Sequence, residues 1–449
     1  MLERKAYRRL LDWKRESRGG TAMLVEGARR VGKSTLVGEF ARREYRSHLV
    51  IDFSTAPGDV VDLFENRRSD VRGFLALLSA YYDVEFFERD TLIVFDEVQF
   101  LPVARSFIKH LVADGRYDYI ETGSLISIRQ NVEGILIPSE EESMRLEPLD
   151  FEEFLWAVGS RPLADMLRET ARTLRPLPDM LHRKAMELLR AYALVGGMPQ
   201  AVVEYADSRD PRAPERVKRS ILRLYRSDVV KFAGRDTAKV LSIFDDIPAQ
   251  LSKHEKRFTL ASLGDNARRR DYENAFFWLE DARITNTCYN ATDPQVGLSL
   301  YRDRPTFKCY MADTGLLSSM VYADNRDASA RFYRDVLFGR LEVNEGMVME
   351  NIVAQMLTAA GHRLYFYSRY DKADSQNTME IDFLITREDP KARICPIEVK
   401  STKRYATASL DKFKARFGKR IGRQIILHTG NIERGSELDR LPVYLAAFL

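Results

Sequence analysis

The octapeptide Gly27 to Ser34, GARRVGKS, restricts the chain more than any other stretch. It satisfies the P-loop pattern through Gly27, Gly32, Lys33 and Ser34, a pattern with meaning only between a strand and a helix. Thr21 to Val25 is an apolar strand candidate before it, and Thr35 to Arg43 has helical spacing through Leu36, Val37, Phe40 and Ala41. Glycines let the backbone turn back and bring its N–H groups close to phosphate oxygens. The helix that follows directs its positive end at the same point. Gly27, Ala28, Arg29, Arg30, Val31, Gly32, Lys33, Ser34 and Thr35 are the candidate nucleotide cradle. Within it Lys33 can reach the β- and γ-phosphates and the Ser34 hydroxyl can ligate Mg²⁺.

A second signal completes this site. Thr91 to Phe95 is an apolar run that ends in Asp96 and Glu97, the Walker B pattern. A buried parallel strand carries its functional residues at its C-terminal end. Asp96 is expected in the Mg²⁺ shell, and Glu97 is expected to orient or deprotonate the attacking water. The next strand candidate, Tyr117 to Ser124, has a polar end. Thr122 and Ser124 there suit a sensor of the γ-phosphate, although a glycine turn with two capping hydroxyls has the same sequence. Strands alternating with helices imply a parallel sheet with right-handed crossovers.

Composition bounds the remainder. At 449 residues the chain has room for about two to four domains. A hydrophobic fraction of 45% with 30% charged residues is that of a soluble globular protein. No stretch approaches the ~20 apolar residues of a membrane helix, and Met1 to Lys5 is charged without an apolar core, unlike a signal peptide. Cys288, Cys309 and Cys395 are too widely spaced for a disulfide framework or a zinc cluster and fit a reducing cytoplasm. The net charge of +4 names no partner, but Lys391 to Arg423 holds eleven Lys/Arg against Glu398 and Asp411. Such a field attracts nucleic acid; a solvated helix face explains it equally well.

Along the chain, Glu140 to Glu142 reads as a solvated loop, and Leu149 to Val158 as a helix with Asp150 at its N-cap. Arg161 to Pro178, rich in Arg and Pro, marks a boundary, and Leu181 to Leu194 is a helix closed by Gly196, Gly197, Met198 and Pro199. These helices would form a lid. Glu215 to Phe232 and Val240 to Leu251 are amphipathic helices; Thr259 to Leu263 and Asp271 to Ala282 are further helices. Strand candidates at Ile284 to Asn290 and Phe307 to Met311 flank a turn region. Helices followed by a β-hairpin predict a winged helix, with Arg268, Arg269 and Arg270 placed for phosphate contacts or, equally, for a protein contact.

The last third carries a second constellation. Glu345 to Ala360 is a helix that includes Glu350; Leu364 to Tyr367, Glu380 to Ile385 and Ile394 to Lys400 are strands. Asp382, Glu398 and Lys400 stand as D-x15-E-x-K on two of these strands. Residues i and i+2 share a face, so Glu398 and Lys400 point the same way. Two acids can hold Mg²⁺ with phosphate and water in its open positions, and a lysine beside them can position the nucleophile. Glu350 can complete the acid set, giving Glu350, Asp382 and Glu398 as candidate ligands, whereas a surface ion pair is the plainer explanation of E-x-K.

Together these segments resemble a bacterial and archaeal family of AAA-type P-loop ATPases with a C-terminal winged-helix region and a PD-(D/E)XK nuclease-like domain. The resemblance covers nearly the whole chain. It rests on GARRVGKST, Leu92 to Gln99, Thr122 to Ser124, Pro148 to Leu155, Val195 to Pro199, Asp313 to Gly315, Glu350, Glu380 to Phe383 and Pro396 to Ser401. It implies ATP and Mg²⁺ at the first site and a nuclease-superfamily fold at the second. The Gly-Arg pair that members often carry before the Pro-Leu-x-Phe segment is missing, since Glu133 to Leu136 reads EGIL. Arg29, Arg30 and Arg145 remain equal candidates for an arginine finger.

The expected architecture is therefore α/β: a P-loop parallel-sheet ATPase core over 1–150, a helical lid over 151–212, a winged-helix region over 213–325, and an α/β nuclease-like domain of restriction-endonuclease type over 326–449. The expected partners are ATP or ADP and nucleic acid, with no membrane; a homo-oligomer is left open. The expected activity is ATP hydrolysis controlling a nuclease-like module. The alternative is a nucleotide-dependent regulator or scaffold with an inactive nuclease fold.

Overall fold

The computed structural model describes residues 2–68, 70–124, 139–253, 257–263, 268–321, 345–371, 378–388, 392–401 and 405–449. Glu133 to Leu136 falls outside them. The chain divides into two compact units, residues 1–147 with 281–283, and residues 148–280 with 284–449.

In the first unit, helix α1 (Ala6–Ser17) precedes strand β1 (Ala22–Glu26) and helix α2 (Lys33–Glu44). Next come β2 (Ser47–Asp52), α3 (Gly58–Asn66), α4 (Val71–Tyr82), β3 (Thr91–Asp96), α5 (Pro102–Asp114), β4 (Asp118–Gly123) and β5 (Glu141–Arg145). The strands form one parallel sheet in the order β2-β3-β4-β1-β5. The apolar runs behind β1, β3 and β4 are buried throughout, as expected of parallel strands covered on both faces. One layer is filled by Phe53, Phe64, Phe74, Phe95 and Phe107, with ring centroids 4.9 to 5.7 Å apart along the chain of contacts. Because β4 lies between β1 and β3, the segments that follow all three strands emerge side by side.

One element departs from the sequence reading. Of Glu140 to Glu142, expected as a solvated loop, Glu141 and Glu142 begin the edge strand β5, paired in parallel with β1 from Ala22↔Glu141 to Glu26↔Arg145. The reason is a distant partner: Arg105 of α5, only 4% exposed, holds Glu141 at 2.7 Å. A buried guanidinium needs a carboxylate, and that need draws an acidic segment onto the sheet.

The second unit opens with α6 (Phe151–Ala157), capped as predicted. The Asp150 Oδ1 accepts from the Glu153 amide at 2.8 Å, and the Glu153 Oε2 accepts from the Asp150 amide at 3.2 Å. Arg161 to Pro178, expected as a boundary, is mostly helix α7 (Arg161–Thr173), with Leu163, Ala164, Leu167 and Thr170 buried along one face. Its two prolines nearest the ends, Pro162 and Pro176, lie in the first turn and beyond the last, where the ring costs no hydrogen bond. Helices α8 (Asp179–Val195), α9 (Pro199–Ser208), α10 (Glu215–Phe232), α11 (Thr237–Ser252) and α12 (Arg269–Asp281) follow.

Strands β6 (Thr285–Ala291) and β7 (Arg302–Met311) form the expected antiparallel hairpin. Its placement differs from expectation: rather than serving as the wing of a separate module, β6 pairs with β8 and joins the C-terminal sheet. After α13 (Thr314–Val321) and α14 (Glu345–Ala359) come β8 (Tyr365–Arg369), β9 (Met379–Glu388), β10 (Ala392–Lys400), α15 (Ala408–Phe417), β11 (Gln424–His428), β12 (Glu433–Arg434) and β13 (Leu438–Pro442). The eight-stranded mixed sheet runs β12-β13-β11-β10-β9-β8-β6-β7. Register shifts at Tyr289/Asn290 and at Tyr365/Tyr367 mark bulges, which increase local twist. The sheet curls enough for Tyr310 of β7 to reach Phe383 of β9, with centroids 5.7 Å apart, although two strands intervene.

The glycines of two sequence motifs are fixed by close approach at one junction. Asp313, 1% exposed, accepts from the Gly197 amide at 2.6 Å and from the Leu316 amide at 2.9 Å. A Cβ on Gly197 would lie 2.1 Å from the Leu149 carbonyl oxygen, and one on Gly315 2.3 Å from that of Val195. Asn351 and Gln355 of α14 extend the network: Asn351 accepts from the Met311 amide at 2.9 Å, and Gln355 accepts from the Thr314 amide at 2.8 Å and donates to Tyr192. Gly197→Ala is expected to lower stability by about 1–3 kcal/mol or more, through overpacking against backbone that cannot retreat. Gly58→Ala, where a Cβ meets nothing within 4 Å, should lose none. Urea denaturation of both variants checks the difference.

Candidate functional site

The P-loop lies where β1 ends and α2 begins. Arg30, with φ 70°, and Gly32, with φ 98°, stand in the left-handed region on either side of Val31. That alternation turns successive backbone N–H groups toward one side, the geometry of an anion nest. Gly27 is fixed by proximity, since a Cβ there would sit 2.5 Å from the Leu146 carbonyl oxygen. Ala28 and Val31 are buried and anchor the loop, whereas Arg29, Arg30, Ser34 and Thr35 are exposed. Arg4, buried, braces the loop from behind by donating to the Val31 carbonyl at 3.2 Å and the Glu147 carbonyl at 2.6 Å.

Lys33 is 5% exposed and folds back over the loop, with Nζ donating to the carbonyls of Gly27 at 3.0 Å and Ala28 at 3.2 Å. The Ser34 Oγ donates to Asp96 Oδ1 at 3.0 Å. Thr122 Oγ1 donates to the same Asp96 oxygen and accepts from the Glu97 amide at 3.3 Å. Glu97 itself has φ 55° and ψ 48°, a strained conformation for a residue with a side chain, and its carboxylate accepts from Gln99. The structure thus brings Lys33, Ser34, Asp96, Glu97 and Thr122 to one edge of the sheet. Ser124 follows directly after β4, half-buried. Gln99 was missed in the sequence, where it is one more polar residue after the acidic pair. Arg145 ends the edge strand β5, exposed and in register with Glu26.

In the second unit two carboxylates of the other constellation, Glu350 and Asp382, lie with Glu380 around a residue the motif does not contain. Lys308 of β7, 1% exposed, places Nζ 2.7 Å from Glu380 Oε1, 3.6 Å from Asp382 Oδ1 and 3.9 Å from Glu350 Oε2. Burial pushes the Lys308 ammonium toward losing its proton, but the three carboxylates outweigh it and hold the proton on. Tyr310 OH donates to Glu350 Oε2 at 3.0 Å, and the Val399 amide donates to Asp382 Oδ2 at 2.9 Å. Glu398 is 3% exposed and pairs with Lys400 at 2.7 Å. Among the described residues, no group of three or more His, Cys, Asp or Glu side chains is arranged to hold a metal ion. Of the candidate ligands, Glu350 and Asp382 lie beside Lys308 and Glu398 pairs with Lys400, while the charge of Asp382 is also felt at Glu398 and at Lys400. One signal for Lys308 was available, a lone lysine inside the apolar strand sequence TFKCYM.

The basic run is less open than its count suggests. Lys414 pairs with Glu437, Arg420 with Asp293 and Arg423 with Asp439. Arg268, Arg393 and Lys419 are exposed, and the side chain of Arg269 lies outside the described residues. The three cysteines are free thiols and buried. Among the described residues, no helix is long and apolar enough to cross a membrane.

Residues 20–155 match a family model described as an AAA domain. The chain carries an AAA domain, and the P-loop lies within it. Residues 186–327 and 345–444 match two further models, each described as a domain of unknown function, DUF8612 and DUF4143. No curated protein matches the chain. Among solved structures, the Walker-type ATPase PABY2304 of Pyrococcus abyssi is similar at 15% identity and TM-score 0.44, over 72% of this chain and 96% of that one. The Aeropyrum pernix ORC1 protein, in complex with DNA, follows at 12% identity and TM-score 0.29, over 74% and 94%. AMPPCP-bound DnaA from Aquifex aeolicus gives 10% identity and TM-score 0.26, over 75% and 93%.

Burial raises the Glu398 carboxyl from 4.5 to about 7, with Lys400 pulling the other way. A carboxyl raised on folding favours the folded state while protonated, and that contribution is lost as pH rises from 4.5 toward 7. The shift corresponds to roughly 3 kcal/mol. Glu398→Gln, which cannot ionise, should flatten the fall in thermal midpoint across this window. A wild-type midpoint that stays level there would contradict the assignment.

Proposed function

We propose that this chain binds and hydrolyses ATP in its first unit, and that the bound nucleotide controls a C-terminal module that contacts nucleic acid. One observation carries the first part. A buried lysine, a hydroxyl and a carboxylate converge at the mouth of an anion nest: Lys33 on two backbone carbonyls, and Ser34 on Asp96. Lys33 would exchange those carbonyls for β- and γ-phosphate oxygens. The oxygen donors Ser34 and Asp96 fit Mg²⁺, which supplies charge neutralisation at the phosphates when bound. Glu97, held by Gln99, would receive the proton of the attacking water or orient it.

Lys33→Ala should weaken nucleotide binding and abolish turnover, because it removes the charge that meets the phosphates. Glu97→Gln should bind normally and lose turnover by ~100-fold or more, the scale of general base catalysis. Fluorescent-nucleotide binding and phosphate release, measured on both variants, check the division of roles. Equal loss of binding in both would overturn it.

The exposed Arg268, Arg393 and Lys419 support the nucleic-acid part. Contacts of this kind release counterions, so affinity for a labelled oligonucleotide should fall steeply between about 50 and 200 mM salt. Anisotropy titrations of wild type and of the triple Ala variant provide the measurement. Binding indifferent to both salt and substitution would remove this partner.

A further inference from the structure

The C-terminal acids are placed as if to gather a cation, and the chain supplies one. Lys308 projects from the middle of β7, opposite Cys288 in the hairpin, and lies among Glu350 from α14 and Glu380 and Asp382 from β9. Its ammonium also stands 5.1 Å from the centroid of the Phe366 ring of β8. The two oxygens of Asp382 are divided between Lys308 and the Val399 amide. A divalent ion held by Glu350 and Asp382 at ~2.1 Å would need the volume that this ammonium fills. It would also bring two further positive charges beside a cation that cannot reach solvent.

We propose that Lys308 is a built-in cation occupying the metal position of the C-terminal site, so that this module holds its carboxylates without a divalent ion and does not cut phosphodiesters by a metal-assisted route. The proposal rests on the placement of the C-terminal acids around Lys308 and is independent of ATP hydrolysis. It accounts for three features together: a lysine 1% exposed inside an apolar strand, three carboxylates converging from two elements, and a curl that brings β7 over β9. A surface ion pair explains none of the burial.

The test uses the full chain without nucleotide, titrated with Mn²⁺ while free ion is read by electron paramagnetic resonance. Asp382→Asn is run beside wild type, so that ions bound at the P-loop side cancel. Wild type and Asp382→Asn should bind the same amount. Lys308→Met keeps the unbranched stem and removes the charge; it should bind Mn²⁺ at least ~10-fold more tightly and gain in thermal midpoint with the ion. Lys308→Met/Asp382→Asn should lose that gain. Mn²⁺ binding by wild type that Asp382→Asn abolishes overturns the proposal, as does a folded Lys308→Met without new binding. Should Lys308→Met fail to fold, the wild-type comparison alone decides in either direction. Phosphate release from ATP is read in the same preparations; its absence would sink the ATPase reading and leave this one standing.

Discussion

The Asp96 carboxylate joins three segments that are far apart in sequence. One of its oxygens accepts from Ser34 at the start of α2 and from Thr122 on β4, while Asp96 itself ends β3. This convergence follows from strand order. With β4 inserted between β1 and β3, the C-terminal ends of all three strands come to one edge. A parallel sheet exposes its functional ends at that edge only, so the loop, the acid and the hydroxyl need no further element to bring them together. Two non-glycine residues beside this convergence, Arg30 and Glu97, take the left-handed conformation. Strain of that kind persists where the surrounding sheet over-determines it.

The second unit depends on a different constraint, close packing of backbone on backbone. Gly197 and Gly315 lie where any side chain would overlap a carbonyl, and Asp313 satisfies the amides that this approach buries. Lys218, fully buried, donates to the Leu194 carbonyl at the end of α8 and pairs with Glu215 at 3.2 Å. Sequence motifs that look functional in a list of signatures are here the polar joint of a helical layer. A buried network of this kind is tolerable only when its members are satisfied. Asn351, Gln355 and Tyr192 complete it from α14 and α8.

What could be read from the sequence was whatever depends on near neighbours in the chain. The P-loop, the Walker B strand, the cap at Asp150 and the helix Glu215–Phe232 each carry their own signal within a few residues. What could not be read was whatever depends on a distant partner. β5 forms because Arg105, thirty-six positions earlier, calls for Glu141. The hairpin β6–β7 joins the C-terminal sheet because β6 finds β8, a pairing of only two residue pairs in the register. Lys308 is recognised as a site residue only after the curl of the sheet brings β7 to β9. The strand candidate Phe307 to Met311 contains it but does not identify its partners.

Two buried lysines show how the same group can be mobile or fixed. The Lys33 Nζ donates to the carbonyls of Gly27 and Ala28, which are neutral acceptors. Lys308 faces three carboxylates, the nearest at 2.7 Å. Opposite full charges attract one another more strongly than an ammonium attracts a neutral carbonyl, so a phosphate would be a better partner for Lys33 than its carbonyls, whereas Lys308 already faces full negative charges. Solvent access reinforces the contrast. Ser34 and Thr35 open the P-loop to water, while Lys308 lies within a strand whose neighbours Phe307, Cys309 and Tyr310 are all buried. The first ammonium is placed to change partners during a cycle. The second is placed to keep them, which makes the carboxylates around it part of the packing of the sheet.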